Sequence, residues 1–134
     1  MSHREGGCLC GAVRYTLTGD PRAVTLCHCS HCQRVSGSVF SFNLVVREAD
    51  YQQIGETAVF TDFGDSGQPV QRHFCSRCGS SILAKIAAAP GKVVLKGGSL
   101  DNKEGLRPFT EIYTAQALSW LAPVEGTTRL AGSQ

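Results

Sequence analysis

Seven cysteines fall into three tight groups: Cys8-Leu-Cys10, Cys27-His-Cys29-Ser-His-Cys32 and Cys75-Ser-Arg-Cys78. An odd number cannot be consumed by intramolecular disulfides. Within a C-x-C pair a disulfide would close a very small, strained ring. Clustered thiols at this spacing instead suit a thiophilic metal, and zinc takes four donors in a tetrahedron. Cys75-Ser-Arg-Cys78-Gly79 reads as a zinc knuckle, two thiolates on a tight turn with Gly after the second. Cys8-Leu-Cys10-Gly11 supplies a second pair, and two plus two completes one tetrahedron. Cys27, Cys29 and Cys32 then form a three-thiolate set whose fourth position is left for water or substrate, the arrangement of a catalytic site. This partition is the simplest; spacing alone also allows Cys8 and Cys10 to join part of the middle group.

The chain of 134 residues fits one domain, 1–134, and 42% hydrophobic residues suit a globular protein. The formal net charge is +2. Lys and Arg are scattered, without a basic run, so no nucleic-acid partner is expected. No apolar run approaches the ~18 residues of a membrane span. The opening Met-Ser-His-Arg-Glu-Gly-Gly lacks the apolar core of a signal peptide, so the expectation is a reducing, cytoplasmic compartment.

Short β-patterns run along the chain. Residues 12–17 alternate, with Val13, Tyr15 and Leu17 on one face. Residues 39–46, 57–63, 70–74, 81–86 and 92–96 read as further strands, and 109–113 as a weaker one. Gly- and Pro-containing turns separate them. Helix is expected only over 29–35 and 115–121.

Gly6-Gly7-Cys8-Leu9-Cys10-Gly11-Ala12-Val13-Arg14-Tyr15, the stretch from Cys27 through Ser38, and Phe74-Cys75-Ser76-Arg77-Cys78-Gly79-Ser80 stand in order along the chain. Together they resemble the glutathione-dependent formaldehyde-activating enzyme family, which also contains centromere protein V. Gly98-Ser99-Leu100-Asp101 and the region from Pro108 through Trp120 fit its C-terminal pattern more loosely. Glu111-Ile112 stands where many members carry His before an aliphatic residue. The resemblance implies a mainly β fold, a tent-like arrangement of small antiparallel β-sheets stapled by zinc. It implies two zinc ions per chain: a structural one on Cys8, Cys10, Cys75 and Cys78, and a catalytic one on Cys27, Cys29 and Cys32. The implied activity is that of a carbon–sulfur lyase condensing formaldehyde with glutathione to S-(hydroxymethyl)glutathione, so the implied partners are a small-molecule thiol and an aldehyde.

Three thiolates on a divalent metal leave a net charge of about −1 by ionic counting. A cation nearby would offset it, and Arg34 is the nearest in sequence. Plainer readings stand beside these. His28 or His31 could close the second metal site, making it structural, and the chain would then be a non-catalytic zinc module for protein interaction. Ser36-Gly37-Ser38 reads as an amide cradle or simply as a turn, Phe40 and Trp120 as core or pocket wall, and His73 as structural.

Overall fold

The computed structural model describes residues 2–133. The elements follow as β1 (His3–Gly7), β2 (Arg14–Thr18), β3 (Ala23–Cys27), α1 (Ser30–Ser36), β4 (Ser41–Arg47), β5 (Tyr51–Ile54) and β6 (Ala58–Phe63). Then come β7 (Pro69–Phe74), β8 (Ser81–Ile86), β9 (Lys92–Lys96), β10 (Thr110–Ile112) and β11 (Thr128–Arg129). Single 3-10 turns occupy Glu48–Asp50, Gly97–Ser99 and Thr114–Gln116.

The strands form a three-stranded antiparallel sheet, β1-β2-β5, and an eight-stranded sheet ordered β11-β10-β3-β4-β9-β8-β7-β6. The larger sheet is antiparallel from β3 to β6; β10 pairs in parallel with both β3 and β11. The period-2 pattern of β2 explains how the sheets meet. Val13, Tyr15 and Leu17 point one way and pack against Leu44 and Val46 of β4, Val93 and Leu95 of β9, and Ile82 and Leu83 of β8. Burying such branched side chains stabilises by about 1.5–3 kcal/mol each, and this layer is the core.

The opposite face of the large sheet is more polar. Register places Cys27, Ser41, Asn43 and Lys96 on it together, because Cys27 stands opposite Ser41 and Asn43 opposite Lys96. Helix α1 follows from the end of β3 on this side.

Expected and observed elements differ where local pattern is a poor guide. β1 is polar and Gly-rich, β5 is short, and β11 has two residues, so none carries an alternating apolar signal. The segment 115–121 is not an α-helix. Backbone hydrogen bonds from Tyr113, Thr114 and Ala115 run instead to Gly132, Leu130 and Ala131, and pairing with the chain's end overrides the alanines' helix propensity. Trp120 is not a core residue: it is 70% exposed.

Candidate metal centres

The first thiol cluster gathers two turns far apart in sequence. Sγ atoms of Cys8, Cys10, Cys75 and Cys78 all lie within 4.8 Å of one another. Cys8–Cys10 and Cys10–Cys75 separations are 3.6 and 3.7 Å. A tetrahedral ion with Zn–S near 2.3 Å sets its sulfurs about 3.8 Å apart, so the cluster has the size that zinc requires. Gly11 and Gly79, each following the second cysteine of a pair, take φ of 83° and 78°; this left-handed backbone is what lets both sulfurs of a turn face one point. N–H groups of Val13 and Arg77 donate to Cys8 and Cys75 Sγ at 3.2 and 3.4 Å. Ser80 Oγ sits 3.2 Å from Cys78 Sγ, and its hydroxyl and backbone hold that thiol down to about 5.

The second cluster is local. Cys27 ends β3, Cys29 is the N-cap of α1 and accepts from Cys32 N at 3.3 Å, and Cys32 lies in the first turn. Their Sγ atoms lie within 4.8 Å of one another, and no further His, Cys, Asp or Glu atom among the described residues joins them. Hydrogen bonds from Cys27 and then Cys32 push the Cys29 thiol down to about 2, while sharing that proton-bonded arrangement pushes Cys27 up. Three sulfurs sharing hydrogen bonds in this way form a set that a soft cation would complete by displacing their protons.

Neither histidine weighed as a fourth ligand joins the trio; each holds a carboxylate through one ring nitrogen, and His28 Nδ1 is buried without a hydrogen-bond partner. His28 is 1% exposed, and its Nε2 lies 2.8 Å from Glu111 Oε1. Glu111 Oε2 accepts from Val124 N, Thr127 Oγ1 and Arg129 at 3.0, 2.8 and 2.7 Å. Burial raises the Glu111 pKa, but Thr127, His28, Arg129 and the Val124 amide together bring it down to about 2. His31 Nδ1 bonds Asp62 Oδ2 at 2.7 Å, and Asp62 also accepts from Arg72 Nε at 3.0 Å, which ties α1 to the outermost strand. Phe40 packs edge-on to His28, ring centroids 6.0 Å apart. Arg34 is exposed in the last turn of α1. In the 36–38 segment, Ser36 Oγ donates to Phe40 O and accepts from Ser38 N at 3.1 and 3.2 Å, so this is a self-bonded turn. His73 Nδ1 bonds Thr57 Oγ1 at 2.7 Å, and burial lowers its pKa.

One buried charged residue of the Cys27 face, Lys96, and one of the opposite face, Glu111 beside Leu26, have their surroundings set by strand register. Lys96 closes an apolar strand flanked by lysines, a pattern that reads as solvent-facing; only register with β4 puts it against Ser41 and Asn43. Glu111 did leave a signal in the sequence, since it stands where the family resemblance leads one to expect a histidine.

Fold and clusters together define a mainly β protein with two thiol centres suited to metal. The chain belongs to the glutathione-dependent formaldehyde-activating enzyme family, whose model matches residues 3–116. A protein of Halomonas elongata is 33% identical over 87 residues, covering 58% of this chain and 53% of the relative. One of Emericella nidulans is 32% identical over 81 residues, covering 59% of this chain and 40% of the relative. Both carry that family name provisionally, and the alignments span about half of these relatives or less. A crystal structure of a Rhodobacter sphaeroides protein shares the fold, with a TM-score of 0.57 at 23% identity over 78% of this chain and 91% of that one.

Proposed function

We propose that the chain is a single zinc-binding unit that joins a thiol, glutathione by family likeness, to formaldehyde or a similar small aldehyde. In this reading Cys8, Cys10, Cys75 and Cys78 hold a structural zinc, and Cys27, Cys29 and Cys32 hold a catalytic one. The carrying observation is that three cysteines converge while no fourth His, Cys, Asp or Glu among the described residues joins them. The overall reaction forms one C–S bond, opens the aldehyde C=O π bond and moves the thiol proton to the former carbonyl oxygen, so atoms balance without a redox partner. Zinc at the trio, when bound, supplies a Lewis acid that lowers the pKa of a thiol or polarises an aldehyde oxygen. Glu111 holds His28 through Nε2, and Phe40 packs edge-on to the His28 ring. Arg34 is an exposed cation on the same helix as Cys32 and is the first candidate for a substrate carboxylate. Reduced thiols of this kind suit a cytoplasmic setting.

The test uses cobalt-substituted protein, given glutathione, cysteine and a neutral thiol in turn, with formaldehyde consumption followed alongside. Expected is a change in cobalt absorption and thiol-dependent loss of formaldehyde. A fully loaded protein that responds to no thiol would leave a non-catalytic zinc module as the better account.

A further inference from the structure

Lys96 ends β9 only 8% exposed. Strand register fixes its surroundings. Lys96 stands opposite Asn43, Ser41 lies two residues along β4 on the same face, and Ser41 stands opposite Cys27. Directly opposed residues have Cβ atoms about 5 Å apart, so the ammonium that reaches Ser41 also approaches the cysteine trio. Nζ donates to Ser41 Oγ at 2.9 Å and to Asn43 Oδ1 at 3.0 Å. Ser41 in turn donates its own proton to Asn43 Oδ1 at 2.6 Å. Both oxygens therefore offer lone pairs to Nζ and ask none of it, which suits an ammonium with three donors and no acceptor.

These two partners are neutral, and a buried cation with neutral partners is costly unless an anion lies nearby. Thiolates of the trio, on the same sheet face, would supply that anion. Burial lowers the Lys96 pKa, and Cys32, then Cys27 and Cys29, pull it back up, against the push of Arg72.

We propose that Lys96 is the built-in counter-charge of the cysteine trio and disposes that centre to take an anion as its fourth ligand. The proposal rests on reading the trio as a metal centre. By ionic counting, three thiolates and a divalent ion carry about −1. With Lys96 the buried group is neutral, so an arriving anion makes it singly rather than doubly negative. A neutral ligand gains nothing from the same lysine. Lys96 acts on the centre through its field, with Ser41 and Asn43 holding it in place, and so is a positioning residue.

The experiment compares cobalt-loaded wild type and Lys96→Met, titrated with azide as the anion and imidazole as the neutral ligand, each read by visible absorption. Expected is an azide affinity lower by about tenfold or more, the equivalent of one pKa unit, with imidazole changed less than about twofold. Equal loss for both ligands means a structural role, and an azide affinity no weaker than wild type means no counter-charge; either overturns the proposal. If Lys96→Met does not fold, Ser41→Ala with Asn43→Ala decides. That variant keeps the charge but loosens it, and azide alone should weaken; unchanged azide binding again overturns the proposal. Neither probe is a thiol or an aldehyde, so a failed lyase reaction leaves this test standing, and a failed Lys96 test leaves thiol addition to be judged separately.

Discussion

The two thiol clusters use one chemistry for opposite structural ends. Cys10 and Cys75 meet across 65 positions of sequence, so whatever ion sits there ties the β1–β2 connection to the β7–β8 turn. The trio lies within six consecutive residues at the junction of β3 and α1, and an ion there links almost nothing that the strand and helix do not already place. A metal that crosses the fold contributes folding free energy; one held locally is free to be spent on chemistry. Surroundings differ in the same sense. Backbone amides and a serine hydroxyl support the four-cysteine cluster, whereas Cys27 of the trio shares its sheet face with a buried lysine.

The sharpest way to break this contrast is Cys75→Ser. Binding at a structural zinc is worth on the order of 10 kcal/mol in small zinc domains, so the variant should lose its cooperative melt by circular dichroism. Survival of a wild-type melt would show that the fold does not lean on that cluster.

Acid should strike the buried His28–Glu111 pair by a separate route. The Glu111 pKa is depressed from 4.5 to about 2. Its ionised form therefore stabilises the fold at any pH above about 4.5, and this is lost as pH falls toward about 2. The shift corresponds to about 3 kcal/mol. Glu111→Gln should be less stable than wild type by about that amount at pH 7, and urea melts should show the gap narrowing once pH drops below about 4.5. A gap that stays constant over that range would mean Glu111 is not held ionised by its partners.

How far the sequence reveals all this depends on the distance over which each feature is built. The cysteine trio, each cysteine pair with its knuckle glycine, and the strands over 81–86 and 92–96 rest on neighbours in sequence and are legible there; the meeting of the two pairs across 65 positions is not. The Glu111–His28 pair and the Lys96–Ser41–Asn43 cluster arise only when strands find their register, and no local pattern announces a register. β11 shows the same limit: it exists because Thr128 and Arg129 pair with β10, not because two residues carry a strand signal of their own, whereas β10 lies within the weak strand pattern read over 109–113.

Cys29→Ser tests the other half of the comparison. Metal analysis should find one ion fewer per chain, while the melting temperature moves by a few degrees, the scale of about 1 kcal/mol or less. A collapse like that of Cys75→Ser would give both clusters the same structural burden. The smallest effect is expected at Trp120, which is 70% exposed: Trp120→Ser should alter stability by less than about 0.5 kcal/mol and leave metal content unchanged.

The parallel seam between β3 and β10 also sets a timetable for biosynthesis. His28 must wait for Glu111, which is added 83 residues later. At translation rates of 5–20 residues per second that is roughly 4–17 s. Throughout that interval the trio's thiols have left the ribosome ahead of the strand that will cover their flank. During this window a nascent chain is open to oxidants and to competing soft metals, so a brief oxidative pulse during synthesis should damage the trio more than the same pulse given to finished protein.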